Sequence, residues 1–204
     1  MWSSETRTEY PITAEGPDGG WVYDWSPDGK SLLLTGGEDQ QIWQLPVDPS
    51  SLGQSAARKI IADLNSDLFQ AHFSSDGKWI VFGAIKNVPH RTAATVYVMP
   101  SKGGPWIQIT DGKQWDDKSR WSPDGKTIYF LSERKGFFNL WGAHFDPVKG
   151  KLQGDPFQVT SFESPTLMIP KDIPPVDISL TNRRLALPLA QTSGNIWILD
   201  NVDR

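Results

Sequence analysis

Few side chains in this sequence are equipped for chemistry. It has no cysteine and three histidines, which removes thiolate catalysis, disulfides and Cys-ligated metal centres. His72, His90 and His144 stand in unrelated local contexts and do not make a metal-ligand spacing. No Gly-x-Ser-x-Gly, His-Glu-x-x-His, Walker A or Gly-x-Gly-x-x-Gly pattern occurs, so no catalytic, metal or cofactor site is expected. Asp28, Asp76 and Asp124 recur, but always just before a glycine in a turn-forming context. Their expected role is turn stabilisation, because equivalent turns in a repeated structure stand too far apart to share a proton or a metal. One set remains. Asp24, His72, Arg120 and Asp177 are ionisable, lie 48, 48 and 57 residues apart, and each directly precedes an apolar residue. They form a candidate ligand or channel site, with His72 titrating near neutrality. The competing reading is salt bridging between neighbouring repeats, such as Asp24 with His72.

The elements that must position these residues follow from an internal repeat. Trp25-Ser26-Pro27-Asp28-Gly29-Lys30 returns as Phe73-Ser74-Ser75-Asp76-Gly77-Lys78 and as Trp121-Ser122-Pro123-Asp124-Gly125-Lys126. A degraded copy runs from Ile178 to Arg183, with Asn182 as the expected substitute for glycine. Each copy lies between two strand-like runs, so each predicts a hairpin. A third strand follows at Gln41–Leu45, Thr95–Met99, Asn139–Gly142 and Asn195–Leu199. A fourth is expected at Lys59–Ile61, Trp106–Thr110 and Phe157–Thr160. Four antiparallel strands in each unit of about 40–50 residues is the arithmetic of a β-propeller blade. The reading is an all-β propeller region with four blades at about 14–63, 64–110, 111–160 and 161–204. A strand at 8–13, centred on Tyr10–Thr13, either closes the last blade or belongs to a further one.

The chain contains ten tryptophans. Trp25, Trp43, Trp121, Trp141 and Trp197 occupy recurring positions, and packing between blades is the role expected of them. The Asp48–Ala56 and Asp146–Asp155 stretches read as polar surface loops. Loops on a propeller face commonly carry binding, which makes Trp115, Asp116, Phe162, Met168 and Ile169 a candidate partner surface. Trp115-Asp116 is placed before the first strand of its blade. The Pro-rich Ser161–Pro175 stretch reads equally as a binding loop or as a plain connector.

With its Trp-Ser-Pro-Asp-Gly-Lys hairpins, the chain resembles the TolB-like, WD-repeat-like propeller family from Tyr10 to Asp200. The motif is specific for fold and weak for function. Family members include periplasmic TolB, propeller domains of prolyl-oligopeptidase-like peptidases, and sensor propellers joined to regulators. Members usually have six or more blades, so the resemblance implies the C-terminal part of a larger propeller in preference to a closed four-bladed ring. It also implies a bacterial, extracytoplasmic setting. The expected function is a non-catalytic binding, scaffold or sensor module with a protein or peptide partner. The alternative is the propeller of a prolyl-oligopeptidase-like serine peptidase whose catalytic domain lies elsewhere.

Bulk properties narrow the partners further. A formal net charge of -4 leaves no basic excess to neutralise phosphates, so no nucleic-acid partner is expected. No apolar run is long enough for a membrane helix, and the N-terminal residues do not read as a signal peptide. An incomplete ring would expose apolar blade faces and favour self-association.

Overall fold

Each Ser-Pro/Ser-Asp-Gly-Lys segment closes its hairpin with the same hydrogen bonds. The Gly29, Gly77 and Gly125 amides donate to the carbonyls of Ser26, Ser74 and Ser122 at 2.8, 2.8 and 2.9 Å. The three glycines have φ of 69°, 69° and 68°, a left-handed conformation that disfavours any side chain. The serine hydroxyl donates to the aspartate two residues on, at 2.6, 2.7 and 2.6 Å. That aspartate accepts the following lysine amide at 3.1 Å in every copy. The Ser26 hydroxyl and the Lys30 amide hold the Asp28 carboxyl below its usual range, and Ser122 with the Lys126 amide does the same for Asp124. The three aspartates are therefore parts of their own turns.

The computed structural model describes residues 2–3, 8–9, 17, 20–37, 40–47, 56–86, 93–170 and 177–194. β1 (Trp2–Ser3) pairs with β2 (Thr8–Glu9) in a short antiparallel ladder. Blade 1 consists of β3 (Trp21–Trp25), β4 (Ser31–Gly36), β5 (Gln41–Pro46) and β6 (Arg58–Ile61). Blade 2 is made of β7 (Ser66–Phe73), β8 (Trp79–Lys86), β9 (Thr95–Pro100) and β10 (Ile107–Gln108). Blade 3 contains β11 (Asp116–Trp121), β12 (Thr127–Ser132), β13 (Asn139–Asp146) and β14 (Lys151–Gln158). All three are four-stranded antiparallel meanders in sequence order. Beyond them, β15 (Leu167–Met168) pairs with β18 (Ala190–Gln191), and β16 (Ser179–Leu180) pairs with β17 (Leu185–Ala186). Tyr10–Thr13, His90, Asn195–Leu199 with Trp197, and most of the Asp48–Ala56 stretch lie outside the described residues. Among the described residues, no helix is long and apolar enough to cross a membrane.

The core lies between the blades. Leu33, Ile42 and Ile61 of blade 1 form one cluster with Leu68, Ile80, Phe82 and Met99 of blade 2. Val81, Val96 and Val98 of blade 2 meet Trp121, Ile128, Phe130 and Phe145 of blade 3. Leu131, Phe138 and Leu140 then meet Ile169 and Ile178. The central strands β8 and β12 are apolar on both faces, because each face packs on a neighbour, whereas Leu32 and Leu34 of β4 pack on Leu45 and Val47 of their own blade. A repeated polar clamp holds the outer strand. The Thr110 and Thr160 hydroxyls accept the Val96 and Leu140 amides at 3.1 and 2.9 Å, while Gln108 and Gln158 donate to the same threonines' carbonyls.

Several expectations need correction. In the degraded copy the turn moves two residues on, so that the Thr181 amide donates to the Arg184 carbonyl. Asn182 there does not have the positive φ expected of it. Asp146–Asp155 is a tight turn followed by most of β14, not a loop, because β13 continues to Asp146. Ser161–Pro175 is not a plain connector, since it contains β15. Trp121 does pack between blades, against Val81, Val96 and Val98 of blade 2 with its indole donating to the His72 carbonyl. Trp43 instead packs within blade 1, where it donates to the Gly36 carbonyl at 3.2 Å and lies beneath Lys59. Trp25, the counterpart of Trp121, is 43% exposed, because no blade precedes blade 1 among the described residues.

Candidate functional site

Each first strand is irregular at the same place. The ladder register shifts between Val22 and Asp24 in β3, between Phe69 and His72 in β7, and between Asp117 and Arg120 in β11. These are β-bulges, which re-aim the side chains that follow. Gln70 and Lys118 occupy equivalent bulge positions and have φ of 52° and 54°, a conformation that costs energy in any non-glycine residue. The two bulges are also joined, for the Lys118 amide donates to the Gln70 Oε1 at 2.7 Å.

β3, β7, β11 and β16 pack on one another in succession, and Asp24, His72, Arg120 and Asp177 come together across them as a row. Asp24 accepts its neighbour Trp25 amide at 2.9 Å and, across the blade junction, the Phe73 amide at 2.9 Å. His72 Nδ1 stands 3.7 Å from Asp24 Oδ2. Arg120 donates to the Asp177 carboxylate through Nη2 and to the Ser119 carbonyl through Nη1 at 3.0 Å. Asp177 repeats the Asp24 arrangement, accepting the Ile178 amide at 2.6 Å. The Trp121 indole donates to the His72 carbonyl at 3.3 Å and ties blade 3 to blade 2.

Electrostatics set the charge of each member. His72 is 5% exposed, and this burial pushes its pKa below the ordinary value, helped by the nearby Arg120 charge and opposed by Asp24. Burial therefore disfavours the protonated imidazole and lowers the pKa that the sequence placed near neutrality. At 3.7 Å the Asp24 carboxylate stands beside the ring and works against that lowering. Burial also lowers the Arg120 pKa, against the pull of Asp177 and Asp24, but an arginine keeps its charge. The row thus places a carboxylate at either end and a buried imidazole and a guanidinium between them. Asp24 and Asp177 remain 32% and 49% exposed at their side chains, so solvent reaches both carboxylates.

The expected partner surface is a different kind of place. Asp116 opens β11 and does not precede it; its exposure is 0%, and Ile169 is 2% exposed. Trp115 and Phe162 pack on the Leu131–Ile169–Ile178 cluster, and Met168 is half-buried in β15. Asn139 clamps Phe162 by its amide and carbonyl at 2.6 and 3.0 Å. These side chains pack over blade 3 and are part of its core. Arg134 stands 3.7 Å from Asp116, and burial raises the Asp116 pKa. Burial also raises that of Asp117, which accepts the Trp115 indole N–H at 3.1 Å. His144 stands apart, exposed, with its ring tilted over Phe157 at 4.8 Å. Among the described residues no three His, Asp or Glu side chains converge as a metal site. The bulges escaped sequence reading, since Gln70 and Lys118 carry no residue-type signal for a left-handed backbone.

No protein-family model matches the chain. A protein of Sulfurisphaera tokodaii, named as a Tricorn-like protease C-terminal subunit, is 25% identical over 128 residues, covering 62% of this chain and 13% of its own length. Among solved structures, a puromycin-hydrolyzing peptidase of Mycobacterium tuberculosis superposes with a TM-score of 0.64 and 16% identity, over 90% of this chain and 30% of that one. TolB from Acinetobacter baumannii superposes with a TM-score of 0.53 and 18% identity, over 89% of this chain and 41% of that one. The chain therefore spans about an eighth of its curated relative and under half of either structure. Together with the three stacked meanders, these likenesses show a β-propeller fold built of four-stranded antiparallel blades.

Proposed function

We propose that this chain is the non-catalytic propeller part of a larger peptidase-type protein, and that its inner row receives peptide segments. The observation that carries this reading is the row itself: Asp24, His72 and Arg120 on successive bulged first strands with Asp177 beside them, the two carboxylates partly open to solvent. Part-exposed carboxylates at Asp24 and Asp177 suit the N–H groups or terminal ammonium of a peptide. The Tricorn-like relative adds support for a peptidase setting over a free-standing scaffold. Blade 1 leaves Trp21, Val22 and Trp25 exposed at 70, 60 and 43%, which supports a larger propeller or self-association through that face.

The test uses the purified chain with fluorescein-labelled hexapeptides differing in terminal charge. Binding by fluorescence polarisation without turnover is the expected result, and Arg120→Ala or Asp24→Asn should weaken it about tenfold, the effect of one good charge-assisted contact. Peptide cleavage that follows the chain through purification would overturn the non-catalytic reading. Unchanged binding in both variants would remove the row from the site.

A further inference from the structure

Equivalent positions on the hairpin side of the blades differ between junctions. Where blades 2 and 3 meet, Trp79 packs edge-on against Phe145, with ring centroids 5.1 Å apart. Its indole N–H donates to the Pro147 carbonyl at 3.2 Å. The ring lies so close to Gly150 that a Cβ there would sit 2.6 Å from a ring carbon. The indole is a plug that closes the junction.

Where blades 1 and 2 meet, both halves of the plug are missing. Ser31 stands where blade 2 has Trp79, since each opens its second strand and pairs with the last residue of the third. Ser101 stands where blade 3 has Phe145, since each amide donates to the carbonyl of its hairpin lysine at 2.8 Å. Two serines in place of two aromatics leave a cleft of about 640 Å³ between the hairpins, within the range of small-ligand and side-chain sites. Its walls are sided. Phe73 contributes an aromatic surface, while Arg58 and Lys102 bring positive charge. Asp28 and Asp76, the acids at its rim, are engaged by their own turns. Arg58 donates to Gln44 Oε1 at 2.7 Å, and Gln44 donates to the Ser31 hydroxyl at 2.8 Å. Lys102 occupies the place of Asp146 in blade 3, so the charge beside the cleft is reversed relative to the plugged junction.

We infer that the cleft between blades 1 and 2 is a docking site for an extended peptide that inserts one indole-sized aromatic side chain next to an acidic residue. Trp79 provides the internal template for the ring, lying against the same elements one blade further on. The serine hydroxyls replace the Pro147 carbonyl as acceptors for an indole N–H, and Lys102 and Arg58 face the neighbouring carboxylate. The cleft is built from residues other than the inner row, and the two sites are tested separately.

The probe is an end-blocked, fluorescein-labelled Gly-Ser-Trp-Glu-Ser-Gly peptide, followed by fluorescence polarisation. Replacing its Trp by Ala or its Glu by Lys should weaken binding about tenfold or more, as expected for a buried anchor and its charged neighbour. Ser101→Phe, which restores half of the plug, should abolish binding without lowering the unfolding temperature. Lys102→Glu, at an exposed position, should turn the preference toward the Lys-bearing peptide even if Ser101→Phe fails to fold. The proposal is overturned if the chain does not distinguish the Trp-Glu peptide from its Ala and Lys versions. It is equally overturned if Lys102→Glu leaves the preference unchanged. Loss of binding in Arg120→Ala alone would sink the cleft and leave the inner row standing.

Discussion

If Trp79 is the plug between blades 2 and 3, removing it should cost a calculable amount. Trp79 is half-buried, so roughly two-thirds of an aromatic burial of about 150–250 Å² is at stake, or about 2–4 kcal/mol at about 25 cal/mol per Å². The edge-on pair with Phe145 and the hydrogen bond to Pro147 each add about 1 kcal/mol. Relaxation of the exposed side recovers part of this, and about 3 kcal/mol is the expected loss for Trp79→Ala. For a chain of this size that corresponds to a fall in melting temperature of about 6–12 °C, readable by circular dichroism. Trp79→Phe keeps most of the ring contact and loses the N–H donor, so it should cost about 1 kcal/mol. Gly150→Ala should approach the larger value, because its methyl group meets the indole and its φ of +60° disfavours a side chain. A loss below about 1 kcal/mol for Trp79→Ala would refute the plug, since burial alone predicts more.

Two further outcomes follow from buried charge. The His72 pKa is lowered in the fold from 6.5, so the unfolded chain takes up a proton that the folded one refuses. Stability contributed by neutral His72 is then complete above about pH 6.5 and falls as the pH drops below it. With Asp24, Arg120, Asp177 and Tyr23 all facing this ring, His72→Asn should flatten the dependence of melting temperature on pH between about 7.5 and 5.5; equal slopes in the two proteins would dismiss the idea. The Asp116 pKa is raised above 3.8 by burial, so its contribution is most favourable at low pH and is lost as the pH rises through the folded value. Asp116→Asn should therefore stabilise the chain by about 1 kcal/mol at neutral pH in urea unfolding, because an amide is cheaper to bury than a charge. A destabilised variant would mean that the ion pair with Arg134 outweighs desolvation.

Much of the fold was legible because the turn chemistry is local. Ser-Pro-Asp-Gly contains everything its hairpin needs: a hydroxyl, an acceptor two residues on, and a residue that tolerates positive φ. The degraded copy was misplaced for the same reason. Without Asp and Gly in register, Thr181 took over the serine's work two residues later. The inner row was legible as four positions but not as four charge states. A spacing of 48 aligns His72 with Arg120, but the burial that lowers both pKa values comes from packing between blades, which residue type does not encode.

The same limit explains why the partner surface was misread while the cleft was overlooked. Aromatic and apolar residues in a connecting segment, such as Phe162 and Ile169, look like a binding surface when solvent is assumed around them. In this chain they are the lid of blade 3. The cleft is signalled by the opposite sign, namely serine at Ser31 and Ser101 where the next junction has Trp79 and Phe145. In a repeat protein every interface is a copy of one solution, and positions that recur report how blades pack. A position that breaks the repeat has lost a packing partner, and the volume it vacates must be filled by neighbours, by water or by a ligand. Between blades 1 and 2 the space stays open, with Pro27 and Gly77 among the residues that line it. The departures from the repeat, read against an intact junction of the same molecule, therefore locate this cleft more directly than the aromatic content of any loop.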